Sequence, residues 1–158
     1  MFRELTRKNK QISDAECTEL LTHETRGILS VNGEDGYPYG MPMNHYYCAE
    51  DGCIYFHCGK KGHRLDALAA SDKVSFCVCE SGKSRPGEWA LEVRSVIVFG
   101  RITVTDDTEE VTRITEALCR KFTQDEEYIR GEISTYAKNT LLLKLIPEHI
   151  CGKKVLES

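Results

Sequence analysis

Alternating and continuous apolar runs of strand length fill the middle of the chain, and helical periodicity flanks them on both sides. Residues 26 to 32, RGILSVN, alternate as a half-buried strand does, and GEDG at 33 to 36 reads as a hairpin turn, with Asp35 and Gly36 supplying positive φ. A second strand is predicted from Tyr37. It carries Pro38 and Pro42, which cannot donate to a ladder and so place part of it at an edge or bulge. After the turn Glu50-Asp51-Gly52, the run CIYFHC from Cys53 to Cys58 is a third strand. It feeds a charged loop and a helix from His63 to Ser71 whose inner face is Leu65 and Leu68. KVSFCVCE at 73 to 80 is a fourth strand. SGKSRPGEW is the most polar, Gly/Pro-punctuated connection, and residues 93 to 105, VRSVIVFGRITVT, form a long strand with a bulge or bend expected at Gly100.

Outside this block the period changes. Ser13 and Glu16 form a capping box before Ala15, Leu20 and Leu21, which gives a helix of about three turns ending before Arg26. Asp106 and Asp107 cap a second helix with Val111, Ile114, Leu118 and Phe122 on one stripe, acids in its first turn and Arg120-Lys121 in its last. Thr123 and Glu126 read as another capping box, leading to a shorter helix through Tyr136 that Gly131 interrupts. LLLKLIPE from Leu141 closes with a strand. No repeat or linker divides this order, so residues 1 to 158 read as a single α+β domain, a strand-rich barrel with peripheral helices.

Composition narrows the function. With 41% hydrophobic and 29% charged residues the chain is long enough for a real core, and 25 acidic residues against 21 basic give a net charge of -4. No basic face dominates, which argues against nucleic acid or a membrane surface as partner. The polar start MFRELTRKNKQ has no signal-peptide apolar region and no run approaches membrane-spanning length, so a cytoplasmic protein is expected. The eight cysteines, Cys17, Cys48, Cys53, Cys58, Cys77, Cys79, Cys119 and Cys151, make no CxxC pair; most of them read as small buried hydrophobes, and no metal site is expected.

Against that net negative charge, Lys60, Lys61, His63 and Arg64 stand together around Gly62 at the start of a predicted helix. The first amides of a helix lack intrahelical partners, and the macrodipole adds partial positive charge there. Glycines allow close backbone approach, and Arg64 can fork onto two oxygens, so the segment reads either as a phosphate site or as a solvated charged turn. His45 and His57 titrate near neutral pH and are candidate proton donors, though histidines in alternating strands are more often structural. His57 beside Cys58 makes a poor dyad, because adjacent strand residues face opposite ways. Tyr37, Tyr39, Tyr46 and Tyr47 are better explained as barrel core or ligand neighbours than as a base-stacking platform.

The order DGYPYGMPMNHYY, IYFHCGKKGHRLDAL, KVSFCVCE and RSVIVFGRI resembles the flavin-binding split-barrel superfamily typified by pyridoxamine 5'-phosphate oxidase. Within it the chain looks most like the 5-nitroimidazole-resistance (Nim-type) proteins, over about residues 10 to 150. The resemblance implies a Greek-key split β-barrel holding FMN. Gly62, His63 and Arg64 match a Ser-Arg-Lys-like triplet that binds the FMN phosphate in relatives. Met41, Pro42, Met43 and Asn44 would run along the isoalloxazine ring, and His57, Cys58 and Gly59 would line the phosphate end. Relatives often place an arginine on the phosphate from strand two, where this chain has Met41, and Lys60 or Lys61 would supply that charge. A homodimer is implied, with FMN at the interface and Trp89 and Ser95 contributed by the partner subunit. The activity implied is reduction of small nitroaromatic or quinone-like compounds, with NAD(P)H as transient reductant. The alternatives are a flavin-binding module without turnover, or haem binding or breakdown through His45, His57 or His63.

Overall fold

The computed structural model describes residues 1 to 84 and 86 to 157. After a short 3-10 turn at Lys8–Lys10, the elements are α1 (Asp14–His23), β1 (Arg26–Asn32), β2 (Pro38–Asn44), β3 (Tyr46–Cys48), β4 (Cys53–Gly59), α2 (His63–Ala70), β5 (Lys73–Cys79) and β6 (Lys83–Ser84). They continue with β7 (Leu91–Thr105), α3 (Thr108–Cys119), α4 (Glu126–Tyr136) and β8 (Thr140–Glu157). The strands form one antiparallel sheet in the order β2-β1-β5-β7-β8-β4-β3, with β6 added against β7. This curled sheet with helices at its margins is an α+β split barrel.

The hairpin that opens the sheet follows from its turn. Asp35 (φ 54°) and Gly36 (φ 79°) take the left-handed backbone that joins β1 to β2, and the register then runs without slip from Asn32 opposite Pro38 to Arg26 opposite Asn44. With two prolines, β2 pairs only with β1 and forms an edge. The long pair β7 and β8 forms the other half of the framework, and its register shifts between Phe99 and Gly100. Gly100 is there for space: a Cβ would stand 2.2 Å from the Ile146 carbonyl oxygen.

One apolar core fills the curl, contributed by alternate residues of the strands and by α1 and α2. It includes Leu20 and Leu21, Leu29, Met41 and Met43, Ile54 and Phe56, Phe76, Val96, Val98 and Leu143. A second cluster under α3 joins Cys48, Cys53, Tyr55, Val111, Ile114 and Leu142. Cys58 therefore faces the first core and Cys53 the second, as strand alternation requires. At the second cluster's edge Tyr55 donates its hydroxyl to Asp51 at 2.6 Å and Lys144 pairs with the same carboxylate at 3.0 Å.

Several sequence expectations need correction. Thr123 and Glu126 do not form a capping box. Asp125 is the N-cap of α4, accepting from the amides of Glu127 and Tyr128, while the Thr123 hydroxyl accepts from Asp125 N one turn earlier. A carboxylate adjacent to the first turn displaces the hydroxyl from that role. Gly131 does not interrupt α4, which continues to Tyr136. Phe122 lies beyond the end of α3 and is exposed, so it leaves the stripe of Val111, Ile114 and Leu118. Lys121 lies past that helix too; its ammonium donates to the carbonyls of Glu24 and His45. β8 continues ten residues past Pro147, because β7 offers it a partner all the way back to Leu91.

Candidate functional site

The edge strand β2 comes to face β4 without pairing with it, and the seam between them opens into a groove. At one end is the charged corner. α2 begins at Gly62, whose φ of 129° turns the chain out of the loop, and no side chain caps it. The other helices of more than one turn are capped by their own Ser13, Asp107 and Asp125, so the free amides of α2 stand out. Around them Tyr39, Gly59, Lys61, His63 and Arg64 line a concavity of about 280 Å³. The His63 ring stacks on Tyr39 with centroids 4.3 Å apart, which fixes one wall. Lys60 is exposed and is not among the residues that line this corner.

Arg64 is held from beneath. Its Nε lies 3.2 Å from the Sδ of Met41, which is buried on the core side of β2. The Cys58 thiol sits beside the same guanidinium, yet burial pushes it above the ordinary thiol range and outweighs that charge. Cys58 is therefore a packed thiol rather than a nucleophile. Gly59, next to it, leaves the backbone open: an added Cβ would meet nothing within 4 Å.

The middle of the groove is lined by Arg26, Pro42, Met43, Asn44, His57 and Arg64. Arg26 donates from Nε to the Asn44 side-chain oxygen at 3.0 Å, so that β1 brings a second guanidinium to the seam. The sequence reading overlooked it. Its signal was the hairpin register, since seven-residue strands joined by that turn put residue 26 opposite residue 44. His57 points outward from β4. Its imidazole is held below the ordinary histidine range, first by the protein around it and then by the Arg64 charge.

Alongside its corner and middle the groove widens into a cavity of about 350 Å³ under α3 and α4, sharing Cys58 and Gly59 with the corner and Asn44 and His57 with the middle. Leu118, Phe122, Ile133, Tyr136 and Ala137 make its apolar walls, and Thr115 and Glu132 bring polar atoms to it. No motif in the sequence pointed to this chamber, because its lining comes singly from two helix faces and the start of β8.

Of the residues expected at the site, Pro42, Met43, Asn44, His57, Cys58, Gly59, Lys61, Gly62, His63 and Arg64 come together along this groove, with Met41 beneath Arg64. His45 does not reach it. It is fully buried, its Nε2 is 2.8 Å from the Leu21 carbonyl oxygen, and its ring meets Phe76 edge-on. Burial, reinforced by the nearby Lys121 charge, lowers its pKa to about 4. Both a proton-donor role and a haem-ligand role for His45 would require the core to open. Trp89, 79% exposed, and Ser95 on β7 lie outside the groove within this chain. Among the described residues no three His, Cys, Asp or Glu side chains gather as a metal site, and no helix is long and apolar enough to cross a membrane.

Comparison with known proteins gives a consistent picture. The family model described as pyridoxamine 5'-phosphate oxidase matches residues 13–154. No curated protein matches the chain. Among solved structures, a candidate 5-nitroimidazole antibiotic resistance protein of Bacteroides thetaiotaomicron superposes with a TM-score of 0.76 at 19% identity, over 93% of this chain and 87% of that one. A conserved hypothetical protein of Mycobacterium tuberculosis gives 0.80 at 16% identity, over 95% and 90%. An FAD-binding protein of Mesorhizobium loti gives 0.66 at 22%, over 92% and 97%. At these identities the likeness is one of fold.

Proposed function

Since the chain belongs to the pyridoxamine 5'-phosphate oxidase family, we propose that it is an FMN-binding oxidoreductase that reduces small electron-poor compounds, nitroaromatic or quinone-like, at the expense of NAD(P)H. The observation that carries this reading is the uncapped start of α2 beside Lys61, His63 and Arg64, continuous through Arg64 with the seam lined by Arg26, Pro42, Met43, Asn44 and His57. A phosphomonoester fits it: it needs charge-assisted donors and unpartnered amides, and both are present at that corner. The likeness to the FAD-binding protein of Mesorhizobium loti and to the candidate 5-nitroimidazole antibiotic resistance protein of Bacteroides thetaiotaomicron supports the same direction.

In this reading Lys61, Arg64 and the first amides of α2 hold the phosphate. Pro42, Met43 and Asn44 present the β2 edge to the ring system, and the Arg26–Asn44 pair keeps that edge polar and ordered. When bound, the flavin supplies hydride or single-electron transfer to an acceptor. His57, at the junction of groove and cavity and held below the ordinary histidine range by burial and then the Arg64 charge, is the side chain that would hold or pass a proton there.

The functional unit in this reading is a homodimer. On the outer face of the sheet, Pro42, Ile28, Cys77, Ile97 and Cys151 stand in one row across five strands, and Ile28 is 44% exposed. A row of apolar side chains on a solvent face fits a second copy of the chain. Ser95 lies on that same face two residues from Ile97, and Trp89 is exposed on the loop leading into β7, which supports a role for both in the partner subunit's site.

The test is an absorption spectrum of the purified protein before and after addition of FMN, followed by anaerobic NADH or NADPH and then a nitroaromatic acceptor. Flavin bands that bleach with reductant and return with the acceptor are expected. Bands that never bleach would reduce the protein to a flavin-binding module, and absence of flavin uptake would overturn the reading.

A further inference from the structure

The groove is electrically divided. Its corner and middle carry Lys61, Arg64 and Arg26, whereas the chamber beneath α3 and α4 carries Glu132 as the single formally charged side chain in its lining, apart from His57 at its mouth. Glu132 makes no ion pair among the described residues. A carboxylate without an ion-pair partner, on the wall of a cavity whose other lining residues carry no formal charge apart from His57, repels an anionic guest and attracts a cationic one. A second observation points to a guest. The Thr115 hydroxyl oxygen is buried and has no hydrogen-bond partner, although its side chain lines the same chamber. A buried hydroxyl without a partner is costly, and a ligand atom within the chamber would satisfy it.

Size limits the guest. A cavity of about 150 Å³ accommodates a benzene ring, and this one has about 350 Å³. One ring with substituents, or two fused rings, fills it. Charge directs the FMN phosphate to the Lys61–Arg64 corner, which meets the chamber at Cys58 and Gly59.

From these features we propose that the chamber is a separate binding site for a one- or two-ring aromatic compound that is neutral or cationic, with Glu132 rejecting anions and the Thr115 hydroxyl donating to a polar substituent. The proposal rests on the reductase reading only in calling this compound the electron acceptor. The chamber opens onto the groove through Asn44 and His57, so a guest there lies beside the groove's occupant.

An isosteric series tests it: 4-nitrobenzylamine, 4-nitrobenzyl alcohol and 4-nitrobenzoate, each titrated by calorimetry into the protein as purified, without reductant. FMN uptake is read separately from absorption, so loss of flavin binding would count against the proposed function while the series still scores the chamber. The amine and the alcohol are expected to bind, and the benzoate to bind at least about 10-fold more weakly, a difference of ~1.4 kcal/mol. Glu132→Gln should erase most of that difference and Glu132→Lys should reverse the order. Thr115→Val, close in shape, should leave the melting temperature unchanged or raised and weaken the alcohol several-fold. Ile133→Trp should block all three compounds without altering FMN uptake. If Ile133→Trp fails to fold, the glutamate variants on the same helix still decide. Equal binding of the three compounds, tightest binding of the benzoate, an order indifferent to Glu132, or no binding of any at millimolar concentration would each overturn the proposal.

Discussion

Arg64 reaches back under the groove so that its Nε stands 3.2 Å from the sulfur of Met41. The thioether, buried on the core side of the edge strand, orients a guanidinium that also lines the concavity at the start of α2. At this position of β2 the chain has a methionine, and the arginine it contacts comes from the helix α2. The second guanidinium of the groove arrives from β1, at Arg26.

Phosphate recognition should therefore depend on Arg64 and Lys61 together. Charge-assisted hydrogen bonds contribute roughly 1.5–3 kcal/mol each, so Arg64→Ala with Lys61→Ala is expected to weaken FMN at least ~100-fold. Riboflavin, without the phosphate, should bind the wild type far less tightly than FMN, and should change by less than about 3-fold in the double variant. Fluorescence titration of both flavins checks this, and an unchanged FMN affinity would move the phosphate elsewhere.

His45 should make the fold sensitive to mild acid. Its pKa is about 4 in the folded chain, against an ordinary value of 6.5, because burial and the nearby Lys121 ammonium both oppose its positive charge. Between those values the unfolded chain binds the proton and the folded chain does not. Stability is thus complete above pH 6.5 and falls as pH drops toward 4, by about 2–3 kcal/mol for this group. Urea midpoints across that window should show the slope, and His45→Gln, less stable at pH 7.5, should flatten it.

Gly100 should tolerate no side chain. A Cβ there would stand 2.2 Å from the Ile146 carbonyl oxygen and 2.9 Å from the Leu145 side chain, at the register shift that lets β7 and β8 curl. Gly100→Ala is expected to cost about 2 kcal/mol or more, since backbone must move. Gly59→Ala, which meets nothing within 4 Å, is the matched control and should leave the melting temperature within about 3 °C. Thermal melts of the two variants separate crowding from the general effect of adding a methyl group.

How far the sequence reached depends on how local the signal was. The hairpin, the edge placed by Pro38 and Pro42, the Gly100 shift and the Ser13–Glu16 capping box are all written within a few residues, and the structure has each of them. The charged corner was legible for the same reason, because Lys61 to Arg64 are consecutive. Thr123 misled because two capping residues two positions apart compete for the same turn, and the carboxylate of Asp125 holds it. For His45 the sequence left a structural and a proton-donor role open, and only the fold, which puts the Leu21 carbonyl beside it, makes it a buried structural group. The α3–α4 chamber was invisible, since Thr115, Glu132 and Tyr136 meet only after α3 and α4 pack over the end of β4.

Subunit pairing is tested by the single tryptophan. Trp89 is 79% exposed and lies outside the groove of its own chain, so flavin bound to an isolated subunit has no nearby indole to quench. If a second copy covers the row from Ile28 to Ile97, Trp89 of each subunit approaches the flavin groove of the other, and FMN addition should quench tryptophan emission. Ile97→Lys puts a charge in the middle of that row and should give a monomer by light scattering at micromolar concentration, because an unpaired buried charge costs several kcal/mol. The same variant should lose the quenching. Quenching that persists in a proven monomer would place Trp89 at its own subunit's site, and a wild-type monomer would remove the dimer from the reading altogether.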